Sequence, residues 1–283
     1  MTDADEWIIR FSPEPRAPVR LVCFPHAGGS ASFFFPLAGA LAPDAEVLAV
    51  QYPGRQNRRH EPCVDDVHAL ADAVAQALGA RSDGRPFALF GHSMGSLVAF
   101  ETARRLQTRG AAPSVLFASG RPAPSCLRAD TVHLRDDQGI LEEIRAVGGT
   151  DARILDDPEL LSFALPALRA DYRAVETYRA VEGAAVACPV TVLTGDHDPR
   201  VSVAEAEGWA VHTTGGFSMR VFPGGHFYLA ERAREVAEAI RTTLRGTPGA
   251  EPDLTRPSIT VQRTPAGNGG EPRSDGFLTR SGN

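Results

Sequence analysis

The sequence predicts an α/β fold: a doubly wound, mostly parallel sheet with a helical lid insertion. Three observations predict it. Short, nearly continuous apolar runs recur along the chain, each closed by Gly, Pro or Ser. Helix-like stretches separate them. One connection, 121–187, carries no convincing strand and is far longer than a crossover helix requires. Runs apolar at every position suit strands covered on both faces, and their alternation with helices marks a parallel sheet.

The strand runs, in order, are "VRLVCFP" (19–25), "AEVLAVQYP" (45–53), "PFALFGHS" (86–93), "PSVLFASG" (113–120), "CPVTVLTGD" (188–196) and "FSMRVFPGG" (217–225). Helices are expected over about 64–79, 94–109, 203–211 and 230–245. Within the long connection, "DDQGILEEIRAVGG" and "DDPELLSFALPALRADYRAVETYRAV" read as helices, and Asp157 followed by Pro158 makes a cap-then-first-turn start. The expected division is therefore a core of 1–120 and 188–245 and a helical lid of 121–187. The segment 246–283, rich in Pro, Gly, Thr, Ser and Arg, is expected to be a disordered tail.

Composition narrows the function classes. The chain has 283 residues, 43% of them hydrophobic, enough for one sizeable domain. A net charge of −6 argues against a broad nucleic-acid footprint. No apolar run is long enough to span a bilayer, and the acidic start "MTDADEW" is unlike a signal peptide. Cys23, Cys63, Cys126 and Cys188 lie far apart, with no CxxC pair, which predicts neither a zinc knuckle nor a disulfide framework and suggests a reducing cytoplasm. Cys23 and Cys188 read as small core residues. There is no lysine anywhere, so a Schiff-base enzyme, a Walker-type P-loop and a Ser-Lys dyad are excluded.

The chemistry gathers around "FGHSMGSLVAF" (90–100). Gly91-His92-Ser93-Met94-Gly95 is a G-x-S-x-G motif between a predicted strand and a predicted helix, the setting of a nucleophile elbow. The bend strains the serine backbone, and its flanks must be small for strand and helix to pack. A serine hydroxyl needs a base. His92 lies inside the elbow and would point away from the serine's side. His60 and His68 read as solvated, His133 lies in the lid, His197 in a loop and His212 near a helix end. His226, in "GGHFYL" just past the last predicted strand, sits where strand C-termini gather around a ligand. An acid should orient it. "LTGDHDPR" supplies Asp196 and Asp198; Asp198, further out on the loop, is preferred and Asp196 is the alternative acid, and with Asp198 in that role Asp196 would fix the loop by an Asx-type bond. The order Ser, Asp, His is that of the α/β-hydrolases. Oxyanion donors are expected from the Met94 N–H and, in "FPHAGGS" (24–30), the Ala27 N–H. His26 reads as a loop-shaping hydrogen bonder.

Taken together, "FPHAGGSASFF", "QYPGR", "FGHSMG", "GDHDP" and "GGHFYL" resemble the type II thioesterases, stand-alone α/β-hydrolases that accompany modular polyketide and non-ribosomal peptide synthases. The resemblance runs from about Trp7 to Leu244, lid included. It implies hydrolysis of acyl thioesters on the phosphopantetheine arm of acyl or peptidyl carrier proteins, an editing role without metal or cofactor. By motif match the nucleophile falls on Ser93, the acid on Asp198, the base on His226, and the oxyanion donors on Met94 and Ala27. A cytoplasmic monomer is expected. Two other readings stay open: a carboxylesterase or lipase, and a non-catalytic binding protein on a hydrolase fold. Within the lid, Ile140, Leu141, Ile144, Leu160, Leu161 and Phe163 either line an acyl pocket or pack the lid helices together. "RQNRRH" (55–60) is either a solvated loop or a docking patch for an acidic carrier.

Overall fold

The computed structural model describes residues 6–81, 83–148, 157–246 and 260–263. Eight strands form one sheet in the order β1-β3-β2-β4-β5-β6-β7-β8. They are β1 (Ile8–Arg10), β2 (Arg20–Phe24), β3 (Glu46–Val50), β4 (Phe87–His92), β5 (Leu116–Ser119), β6 (Val190–Gly195), β7 (Phe217–Phe222) and β8 (Thr260–Arg263). All neighbours are parallel except β1, which runs antiparallel to β3. The six predicted strands are all present. β1 and β8 were not predicted: three and four residues are too short to show a period. β8 lies within the segment expected to be disordered; 247–259 and 264–283 fall outside the described residues.

The apolar runs have a simple cause. Val22 and Phe24 of β2 point into one core layer, whereas Leu21 and Cys23 point into the other. Leu116 and Ala118 against Val115 and Phe117 repeat the division beside β5. The first layer is closed by α2 (Val67–Gly79) and α3 (Met94–Thr108), the second by α1 (Phe35–Leu41) and the C-terminal helix α8 (Ala233–Arg245). Capping sets the boundaries: Asp66 Oδ1 accepts from Ala69 N at 2.7 Å to start α2. On α8 the buried Val236, Ala237 and Ile240 form one stripe, while Arg241 and Arg245 face outward to Asp44.

The lid holds α4 (Asp137–Val147) and α5 (Pro158–Thr177). Asp157 caps α5 through Glu159 N and Leu160 N, with Pro158 in its first turn, as the sequence indicates. Val132, Ile140, Ile144 and Leu168 form a small lid core. Two short helices, α6 (Val203–Glu207) and α7 (Tyr228–Glu231), follow β6 and β7. Among the described residues no helix is long and apolar enough to cross a membrane.

Strand order reverses direction at β2: β3 lies on one side of it and β4 on the other. The loops leaving β2 and β4 diverge there and open a crevice at the strand C-termini. The functional residues gather at that crevice.

Candidate active site

Ser93 lies directly after β4 with φ 53° and ψ −118°, a left-handed backbone for a residue that has a Cβ. The elbow is held from three sides. Ser93 N donates to Ser119 O at 2.8 Å. The buried Ser96 hydroxyl lies 2.9 and 3.0 Å from Gly91 O and Ser119 O, which share its one proton, and accepts from Ser119 N. The glycines are needed for space: a Cβ on Gly91 would stand 2.2 Å from Gly95 O, and one on Gly95 would stand 2.0 Å from Phe24 O. Sequence reasoning found the glycines but missed the brace of Ser96, which looks like any small residue in a helix.

His226 and Asp198 come together across the ends of β7 and β6. His226 Nδ1 meets Asp198 Oδ2 at 2.8 Å and Oδ1 at 3.0 Å, and the two side chains are 4% and 0% exposed. A carboxylate can only accept, so Nδ1 is the donor and Nε2 is left as the acceptor of the ring. Asp198 Oδ1 also accepts from Arg200 N at 2.8 Å, which fixes its own loop. Asp196 is exposed and does something else. Its Oδ1 accepts from Gly224 N at 2.9 Å and from the His197 ring, tying the β6 loop to the β7 loop. Asp196 therefore fixes its loop through Gly224 N rather than by the expected Asx-type bond, and the Asx-type turn is made by Asp198.

Ser93, His226 and Ala27 line one cleft beneath the lid. Met94 begins α3, so its N–H has no partner within the helix. Among the described residues neither that N–H nor the Ala27 N–H donates to a protein acceptor. Two free donors beside the half-buried Ser93 can hold a developing oxyanion.

Two histidines flank the site, His92 buried and His26 half-buried. His92 is fully buried, its Nδ1 hydrogen-bonded to Ser119 Oγ at 2.9 Å, and Ser119 Oγ to the Tyr228 hydroxyl at 2.7 Å. Its ring centroid lies 5.1 Å from that of His226. The His26 side chain, expected to hydrogen-bond, does not: its buried Nδ1 has no partner, and the ring packs edge-on against Phe33 and Phe227. Burial, then the proximity of His226 and Arg55, lowers His26 to about 3. Burial likewise holds His92 well below the usual imidazole value. Both rings therefore stay neutral beside His226, and any positive charge that develops there is not met by a like charge.

This neutrality has a cost in acid. The unfolded chain binds protons at these histidines below about pH 6.5 while the folded chain does not, so stability is full above that pH and falls below it. His26→Phe should flatten the acid limb of a Tm–pH curve by about one proton, roughly 1.4 kcal/mol per pH unit between about pH 6 and 4. An unchanged slope would show that His26 titrates normally.

The lid is clamped to the site by a buried ion pair. Arg55 Nη1 and Nη2 donate to Asp171 of α5 at 2.6 and 2.9 Å. Asp171 Oδ2 also accepts from Gly28 N at 2.7 Å, one residue beyond Ala27, and Arg55 Nη1 reaches Gly29 O at 3.1 Å. Gly28 has φ +74°, and a Cβ there would stand 2.4 Å from Leu168 Cδ2 of the same lid helix. This overturns the docking-patch and solvated-loop readings of 55–60 for two of its arginines. Arg55 and Arg58 are both buried, Arg58 over the Trp7 ring and against Glu61. A charge run in sequence cannot show its partner 116 residues away.

Asp171→Asn should lower stability by about 3–5 kcal/mol, because Arg55 would be left buried beside an amide. It should also slow turnover by about tenfold or more through a loosened Gly28 loop. The double variant Arg55→Met/Asp171→Leu should regain most of the stability but not the rate. Denaturant melts and initial rates at a temperature where all variants are folded check both; a rate that stays at the wild-type level would break the link to the loop.

Of the six lid residues considered for an acyl pocket, only Ile144 lines the cleft. Ile140 packs inside the lid core, whereas Leu160 and Phe163 are exposed. Leu141 and Leu161 line an outer groove between α4 and α5. The apolar wall is made instead by Val147, Leu168, Val175 and Phe227, with Tyr172.

Fold and cleft define the class: an α/β-hydrolase with a helical lid over a serine elbow. A family model for the thioesterase domain matches residues 19–244, and the chain belongs to that family. Within it the chain is a type II thioesterase. A protein of Streptomyces griseus named "Probable cadicidin biosynthesis thioesterase" is 51% identical over 258 residues, 88% of this chain and 71% of its own length. The solved type II thioesterase BorB from the borrelidin biosynthetic cluster superposes with a TM-score of 0.79 at 48% identity, over 85% of this chain and 98% of BorB. YbtT, a type II thioesterase from the yersiniabactin NRPS/PKS pathway, gives 0.78 at 32% identity, over 85% of this chain and 99% of YbtT.

Proposed function

We propose that this chain removes acyl groups from the phosphopantetheine arms of carrier proteins in a polyketide or non-ribosomal peptide synthase, as a cytoplasmic editing hydrolase. The observation that carries the mechanism is the strained Ser93 elbow opening into the same cleft as His226, whose ring Asp198 holds with Nε2 free. His226 Nε2 takes the hydroxyl proton as Ser93 Oγ attacks the thioester carbonyl carbon. The negative oxygen of the tetrahedral adduct rests on the N–H groups of Met94 and Ala27. The C–S bond breaks, the arm leaves as a thiol with the proton returned by His226, and acyl-Ser93 remains. Water then attacks, giving its proton to His226. The C–Oγ bond breaks, Ser93 recovers its proton, and the free acid departs. The net change is thioester plus water to thiol plus free acid, with no change of oxidation state and water as the sole co-reactant. A thiol leaves more readily than an amine, because it is far more acidic.

The test compares acyl-loaded carrier proteins with matched oxygen esters. A marked preference for the loaded carriers is expected. Preference for the oxygen esters would overturn the carrier reading in favour of a carboxylesterase, and a wild type inert to a serine-directed phosphonate would favour a binding protein.

A further inference from the structure

Gln51 is the first residue past β3, and it is buried although its side chain is polar. Its backbone is fixed on both sides: Gln51 N donates to Trp7 O at 2.9 Å, and Arg58 Nη1 donates to Gln51 O at 2.9 Å. Its side chain reaches the loop that carries Ala27, where Oε1 accepts from Ala31 N at 3.0 Å. An N–H can be met only by an oxygen, which fixes the orientation of the amide. Nε2 then faces Arg55 O and Tyr52 O, at 3.4 and 3.5 Å.

The Ala31 N–H is one that needs a partner. It opens a short turn of helix, Ala31–Phe34, and a first-turn amide has no acceptor within its own helix. Ser30, at the N-cap, makes no side-chain capping bond. Gln51 supplies from the neighbouring strand the acceptor that a capping side chain ordinarily provides.

The residues after Ala27 are held one by one. Gly28 N donates to Asp171, Arg55 donates to Gly29 O, and the exposed Gln56 donates to Ser30 Oγ at 3.2 Å. The first two contacts belong to the ion pair with the lid helix, and the third lies at the surface. The Gln51 bond is buried and is anchored on the sheet. Without it the Ala31 N–H would be buried and unpaired, and the turn that Gly29 N closes on His26 O at 2.9 Å would lose its fixed end.

We infer that Gln51 is a positioning residue: it ties the oxyanion loop to the sheet, by a route that does not pass through the lid, and so keeps the Ala27 N–H aimed at the developing charge. The inference rests on the reading of Ser93 and Ala27 given above. A hydrogen bond to an oxyanion acts only in the right geometry, so a small shift of this loop is felt in the transition state more than in substrate binding.

Gln51→Met keeps the length of the side chain and removes the acceptor. On an acyl-pantetheine thioester its kcat should fall about 10- to 100-fold while KM changes by less than about threefold. A trifluoromethyl ketone carrying the same acyl chain gives a second readout. Ser93 Oγ adds to its carbonyl carbon, the hydroxyl proton passes to His226, and the negative oxygen takes the oxyanion position. Its Ki should rise by about the factor by which kcat/KM falls. Ile240→Ala, a core truncation beside the Arg241–Asp44 pair at the other end of β3, controls for lost stability and should leave both readouts within about twofold. A change confined to KM, or a loss of kcat with the ketone Ki unmoved, would make Gln51 merely structural and overturn the inference. Should Gln51→Met not fold, Gln51→Asn, one methylene too short to reach Ala31 N, is read in the same way. A wild type that cleaves only oxygen esters would overturn the carrier reading; the same two ratios, measured on the ester, then decide Gln51 separately.

Discussion

Ser93→Ala should abolish thioester hydrolysis, lowering kcat by about 10⁵ or more, while leaving the fold intact. The size follows from the chemistry: without Oγ there is no acyl-enzyme, and only the oxyanion donors and substrate binding remain. The backbone adds a second, opposite effect. Ser93 sits at φ 53° with a Cβ, a conformation that costs about 1–3 kcal/mol. Ser93→Gly removes both the nucleophile and the strain. It should be as inactive as the alanine variant yet more stable than wild type by about 1 kcal/mol or more, read from denaturant midpoints. Hydrolysis surviving in either variant would refute Ser93 as nucleophile. A glycine variant less stable than wild type would refute stored strain.

The second large effect separates the two aspartates. Asp198→Asn should lower kcat by about 10⁴, because an amide can present N–H to His226 Nδ1 and so favour the wrong tautomer. Asp196→Asn should cost less than about tenfold, since its oxygen serves Gly224 N and an amide oxygen can do the same. Steady-state rates of both variants on one acyl-carrier substrate decide it. A reversal of the two would move the orienting role to Asp196 and leave the His226 contact of Asp198 a matter of packing.

The contrast between these aspartates shows how far a sequence reaches. "GDHDP" offers two acids two residues apart, and local rules do not rank them. The family resemblance favoured the second. The structure gives the physical difference: Asp198 has a fully buried side chain against His226, whereas Asp196 is an exposed tie between two loops. The lid shows the same limit. Its helices and the Asp157 cap were legible, because capping and periodicity are local. Which face lines the cleft was not, so five of the six leucine, isoleucine and phenylalanine candidates proved to lie elsewhere.

By itself the sequence determined the parallel sheet, the elbow and its glycines, and the places of Asp198 and His226 just past the last two predicted strands. Those features depend on residues adjacent in the chain: apolar runs, turn chemistry, a strand followed at once by a helix. Only the tertiary structure decided that Arg55 and Asp171 close the lid onto the Gly28 loop and that Ser96 braces the elbow. Each of these is settled by which distant groups are desolvated together. Burial turns an ordinary surface charge into a clamp, and burial is a property of the packed chain, invisible in a local stretch of residues.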